Sequence, residues 1–186
     1  MSMIILQIND KCGPMARGEL YREPLEDFFE ENKIGEVTGG GTLLQKKGQP
    51  QYCELEISIK NLSDDILNEL IKKVNSVVPK GSVLYLEDNT EIKVGTLEGV
   101  AIKLNHSQAP EALLDEMDFQ AMWDDFDKAI GEDGEAHDDH DGQDTYTLYY
   151  YGISAQKIID NMTKELKKHK IKDYIELEVQ PIVLNS

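Results

Sequence analysis

The chain has 186 residues, 40% hydrophobic and 30% charged, the balance of a globular protein long enough to bury a core. Its net charge of −17 argues against nucleic-acid binding, which needs clustered Lys and Arg, and favours solubility or a basic partner. No apolar run approaches the roughly 20 residues of a membrane-spanning helix. The start, Met1 to Asp10, lacks the basic region and cleavage site of a signal peptide, and Cys12 and Cys53 form no C-x-x-C pair, so a reducing cytoplasm is the expected location.

In chain order, Ile4 to Ile8 reads as a short apolar strand, and Asp10 to Arg22, with Gly13, Pro14 and Gly18, as a loop. Pro24 suits the first turn of a helix whose apolar face holds Leu25, Phe28 and Phe29, and Gly35 ends it. Glu36 to Leu44 is a strand interrupted by Gly39, Gly40 and Gly41. After a turn it is followed by Tyr52 to Ile59, where Cys53, Leu55, Ile57 and Ile59 alternate with other residues at the period of a half-buried strand. Ser63 is placed to cap a helix carrying Ile66, Leu67, Leu70, Ile71, Val74, Val77 and Val78, with Asp64 and Asp65 at the positive end of its dipole. Ser82 to Glu87 closes this half as a strand, with a turn at Asp88 to Thr90.

The same order then returns. Leu97 to Leu104 is a strand, Phe119, Met122, Trp123, Phe126 and Ile130 stripe an acidic helix ended by Gly131, and a hairpin-like acidic stretch leads to the aromatic strand Thr145 to Gly152. In that strand Tyr146, Leu148 and Tyr150 share one face and Tyr149 and Tyr151 the other. Ser154 caps a helix with Ile158, Ile159, Met162 and Leu166, whose end carries Lys164, Lys167, Lys168 and His169, and Asp173 to Glu178 is the closing strand. Ser63 and Ser154 stand at equivalent places in the two halves, as do the closing strands. This registration predicts an α+β protein of two tandem ferredoxin-like (βαββαβ) halves, residues 1–94 and 95–186, each an antiparallel sheet with helices on one face. The resemblance is to an architecture alone, and it transfers no functional residue.

The charge is concentrated. Glu111 to Asp144 holds fourteen acids against Lys128, a net −13 of the chain's −17. The first functional expectation is therefore a non-catalytic binding protein, of the acidic inhibitor or immunity type. It would take a basic protein partner on Glu132, Asp133, Glu135, Asp138, Asp139 and Asp141, since a local negative patch steers a positive one. A second is a sensing module for an anionic small molecule near Arg17, Arg22 and Gly39 to Gly41, where an arginine could clamp a carboxylate. Those glycines lack the following helix that a phosphate-cradling loop opens, and a bulge or close backbone approach explains them more simply. The third is a hydrolase with a divalent metal held by His137, His140 and Asp141. A calcium loop does not fit, because with Gly142 at its sixth position Leu148 falls where a bidentate glutamate is needed. No nucleophile elbow is present, no cofactor is called for, and neither a nucleic acid nor a membrane is expected as partner.

Overall fold

A computed structural model describes residues 1–46 and 48–182. The fold is α+β, with two antiparallel sheets and helices. The described residues divide into two compact units, Met1–Leu97 together with Pro181 and Ile182, and Glu98–Gln180.

The first unit runs β1 (Ser2–Ile8), α1 (Pro14–Arg17), a π-helical turn (Gly18–Arg22), α2 (Glu23–Asn32), β2 (Gly35–Leu44), β3 (Pro50–Ile59), α3 (Asp64–Asn75), β4 (Ser82–Leu86) and β5 (Glu91–Val94). Its sheet has the order β2-β3-β1-β4-β5. Pairing sets Ile4 opposite Ile57, Leu6 opposite Leu55 and Ile8 opposite Cys53, so alternate residues of both strands make one buried row. Leu25 and Phe29 of α2 and Leu70 and Val74 of α3 close over that row. Ser63 caps α3 by accepting from the Ile66 amide at 3.4 Å.

In this unit two elements depart from the sequence reading, and α2 ends before Gly35, at Asn32 with Lys33 as its left-handed cap. Asp10 to Arg22 is not a loop throughout, because the chain is helical from Pro14 to Asn32. Pro14 occupies the first helical turn, where its missing donor costs nothing. The π turn then directs Tyr21 inward, and its hydroxyl donates to the buried carboxylate of Asp10. Cys12 and Cys53 meet in the same core, their sulfurs 3.4 Å apart and without a disulfide. The second departure is β5, which extends the sheet beyond β4 after the expected turn at Asp88 to Thr90.

The second unit runs β6 (Glu98–Leu104), α4 (Glu111–Asp115), α5 (Phe119–Ile130), a 3-10 turn (Gly131–Asp133), β7 (Glu135–Asp141), β8 (Tyr146–Gly152), α6 (Ala155–Leu166), a 3-10 turn (Lys170–Tyr174) and β9 (Ile175–Val179). The sheet order is β7-β8-β6-β9. Met122, Phe126 and Ile130 of α5 and Ile158, Met162 and Leu166 of α6 pack on Val100, Ile102, Leu104 and Tyr150. Ser154 caps α6 through the Lys157 amide at 3.4 Å, and Asp118 caps α5 through that of Ala121 at 3.0 Å. Among the described residues, no helix is long and apolar enough to cross a membrane.

Near the end of α6, Glu165 puts a carboxylate at the negative pole of a helix, an unfavourable place unless cations answer it. Lys168 donates to it at 2.5 Å and His169 Nε2 lies 3.4 Å away. The hydrogen bond from Lys168 holds the Glu165 carboxyl below the usual carboxylate range. A depressed value contributes stability above the unfolded carboxylate value of about 4.3, and that contribution disappears as pH falls through the folded value. Lys168 is largely in water, which screens the pair, so Glu165→Gln is expected to cost about 1 kcal/mol at pH 7. Urea unfolding at pH 7, 5 and 3 checks this, with the two proteins converging at the lowest pH.

Candidate functional site

The acidic stretch of the second unit is an edge strand. With no apolar residue except Ala136 it could not show the alternation of a half-buried strand, yet β7 pairs with β8 from Glu135↔Tyr151 to Asp141↔Tyr146. The register shifts between Ala136 and Asp138, so His137 is the extra residue of a bulge. Paired residues of adjacent strands point to the same face. Asp139 and Asp141, opposite Leu148 and Tyr146, therefore share the helix-bearing side, while Glu135, Asp138 and His140 share the other.

The six expected partner-binding acids fall into different environments. Asp133 accepts from Lys157 at 3.1 Å and from Asn161 at 3.0 Å, and the first of these bonds, with the second, lowers its carboxyl below the ordinary range. It ties the 3-10 turn to α6. Asp138 accepts from the Asp139 amide at 2.9 Å, steadying the bulge. Glu132, Glu135, Asp139 and Asp141 are exposed, and no described lysine or arginine lies within 4.0 Å of their carboxylates.

His137, His140 and Asp141 are not brought to one point. His137 is buried, stacked on Tyr151 with ring centroids 4.5 Å apart, and Asp141 belongs to the face opposite His140. Among the described residues, Asp125, Glu165 and His169 do gather metal-ligand atoms within 4.8 Å of one another. They come from α5, α6 and the segment after α6, a conjunction that no local spacing could reveal. The Lys168 ammonium on Glu165 already supplies a cation there.

Nor do Arg17, Arg22 and the glycines form one site. Arg17 Nη1 donates to Thr42 Oγ1 at 2.9 Å beside Gly40, whereas Arg22 Nε pairs with Glu26 at 2.8 Å on the exposed side of the helix. A Cβ on Gly40 would lie 2.5 Å from the Glu54 carbonyl oxygen and one on Gly39 2.8 Å from Glu56 Oε2. Close approach of the β3 backbone thus accounts for Gly40, whereas at Gly39 only the end of the flexible Glu56 side chain would have to move, and a bulge sits between Val37 and Gly39.

A cavity of about 420 Å³ opens beside the acidic strand, lined by Leu104, His106, Phe119, Trp123, Asp141 and Tyr146. The start of α5 supplies Phe119 and Trp123 one helical turn apart, the end of β6 supplies Leu104, and β7 and β8 supply Asp141 and Tyr146 as direct neighbours. Trp123 and Tyr146 meet at a tilt, centroids 5.5 Å apart and planes 30° apart, while Phe126 meets the indole edge-on at 5.3 Å. His106 Nε2 lies 3.3 Å from the Gly142 carbonyl oxygen, a contact in which the imidazole donates, holding the end of β6 to the β7–β8 turn. Partial burial, reinforced by Asp139, pushes the Tyr146 hydroxyl up to about 12. It is a neutral phenol at neutral pH.

No protein-family model matches this chain, and no curated protein does. Among solved structures it is similar to a "putative monooxygenase" of Lactobacillus acidophilus, with 11% identity over 96% of this chain and 91% of that one and a TM-score of 0.33. A "putative monooxygenase" of Fusobacterium nucleatum gives 12%, 97%, 93% and 0.31. The first two RRM domains of the yeast poly(U)-binding protein give 7%, 96%, 99% and 0.25. Likenesses this distant carry no argument about activity.

Proposed function

We propose that this protein is a non-catalytic binding protein that takes a basic protein partner on the acidic edge of its second unit. The observation that carries the reading is that Glu135, Asp139 and Asp141 are exposed along β7, an edge strand paired on one side only, with no described lysine or arginine in reach. Such an edge offers backbone donors and acceptors to an added strand, and its carboxylates select a partner rich in Lys or Arg. Long-range attraction raises the association rate and makes it fall with salt.

The probe is a decalysine peptide, titrated against the protein at low and physiological salt. Binding is expected to weaken at least tenfold at the higher salt and at least tenfold in the variant Glu135→Gln, Asp139→Asn, Asp141→Asn. Unchanged affinity in that variant would remove the reading. Charges on an exposed edge also keep sheets of different molecules apart. A variant that self-associates in light scattering without any loss of peptide binding would assign the acids to that guarding role instead.

We also infer that the two units are tandem ferredoxin-like copies. The orders β2-β3-β1-β4 and β7-β8-β6-β9 are the same order counted within each unit, and the serine caps Ser63 and Ser154 occupy equivalent places before the second long helix.

A further inference from the structure

We propose that the cavity between α5 and the β7–β8 hairpin binds a small organic cation with an apolar body, an arylalkyl amine or quaternary ammonium. This site goes beyond the partner reading, with which it shares only Asp141. Its walls are chemically one-sided. Phe119, Trp123 and Tyr146 contribute aromatic surfaces and Leu104 an aliphatic one, while Asp141 brings the single full charge among the lining residues, and it is negative. The electron-rich face of an indole or phenol attracts a cation, most strongly where water is excluded. The same walls take the apolar body through burial of its surface.

Volume and electrostatics agree with that occupant. About 420 Å³ lies within the range of roughly 300–1,000 Å³ typical of small-molecule pockets. An anionic ligand would meet Asp141, and Asp139 on the same side of the sheet, with no lysine or arginine in the lining to receive it. A neutral ligand would gain the apolar walls but leave the carboxylate unused. The neutral state of the Tyr146 phenol also keeps a second negative charge off the wall, and its hydroxyl remains with Asp139.

The chain has one tryptophan, and it is in the wall, so Trp123 fluorescence reports occupancy directly. Benzyltrimethylammonium titrated at physiological salt is expected to change that fluorescence saturably. Benzyl alcohol should bind at least tenfold more weakly, and 3-phenylpropionate should give no saturable change. Asp141→Asn is expected to weaken benzyltrimethylammonium about tenfold and leave benzyl alcohol unchanged. Should that variant fail to fold, Tyr146→Phe, which keeps the ring, should hold affinity within about twofold, and Tyr146→Leu should lose at least fivefold. Equal affinity for the cation and benzyl alcohol overturns the proposal, as does the absence of saturable change with any probe. A decalysine peptide that saturates the Trp123 signal at lower concentration than benzyltrimethylammonium also overturns it, by giving the pocket to the protein partner. Failure of the partner reading leaves a separate signature, loss of decalysine binding altogether with the fluorescence titration intact.

Discussion

Phe126→Ala is expected to cost the second unit about 3–5 kcal/mol, the range for truncating a fully buried phenylalanine. Phe126 has no exposed surface and stands at the middle of the α5 stripe. Its ring meets Trp123 at 5.3 Å on one side and the His169 imidazole at 5.4 Å on another, in edge-to-face geometry at both. Deleting it leaves a cavity on which α5, α6 and the sheet cannot all close, because each is held by its own cap and hydrogen bonds. Domain stabilities lie near 5–15 kcal/mol, so the loss is a large share of the total. Urea unfolding followed by Trp123 fluorescence should show a much lower midpoint with the slope unchanged. Phe126→Leu, which refills most of the space, should recover more than half of the difference. The pocket would suffer with the core, since Phe126 supports the indole that forms its wall.

The sequence was most informative where one physical rule acted alone. Cys53, Leu55, Ile57 and Ile59 alternate because β3 has one buried face, and all four are buried. Ser63 and Ser154 are legible as caps because a serine before a helical stripe satisfies an amide that would otherwise lack a partner, and both do so. Rules in competition were harder to read. Gly13, Pro14 and Gly18 carry the composition of a loop, but Pro14 is suited to a helix start and Tyr21 must bury its ring, so the segment is helical. In β7 almost nothing is apolar and a bulge breaks the period of two at His137, so a strand was disguised as a hairpin tip.

The candidate site was legible in part. Local density of Asp and Glu located the acidic surface, but it could not separate Asp133, bound to Lys157 and Asn161, from Asp139 and Asp141 at the open edge. The aromatic cavity was hidden altogether. Leu104, Trp123 and Tyr146 come from three elements, and the stripe containing Phe119 and Trp123 reads as core when the helix is considered alone. Only the crossing of α5 with the end of the hairpin turns the first turn of that stripe into a wall.

The first unit depends on a contact with no sequence signature, and Tyr21→Phe is expected to destabilise it by about 1.5–3 kcal/mol, the value of a hydrogen bond to a charged group. Asp10 has no exposed surface and the phenol donates to it from within the core. Burial, then the Asp10 carboxylate, raises the Tyr21 hydroxyl well above its ordinary value. A raised value stabilises the fold fully below the unfolded value of about 10 and loses that contribution as pH rises beyond it. The gap in urea midpoint between wild type and Tyr21→Phe should therefore be full at pH 8 and narrow by pH 11, because the phenylalanine variant has no proton to release. Circular dichroism in urea at the two pH values measures it. A gap that stays constant would overturn the assignment of the cost to a phenol held protonated against Asp10, since the ring is the same in both proteins. Combining Tyr21→Phe with Asp10→Asn in a double-mutant cycle isolates the pair, with a coupling of at least about 1 kcal/mol expected for two groups in direct contact. A coupling near zero would place the stabilising role of the π turn in how it seats the ring, and Asp10 would then depend on its other neighbours.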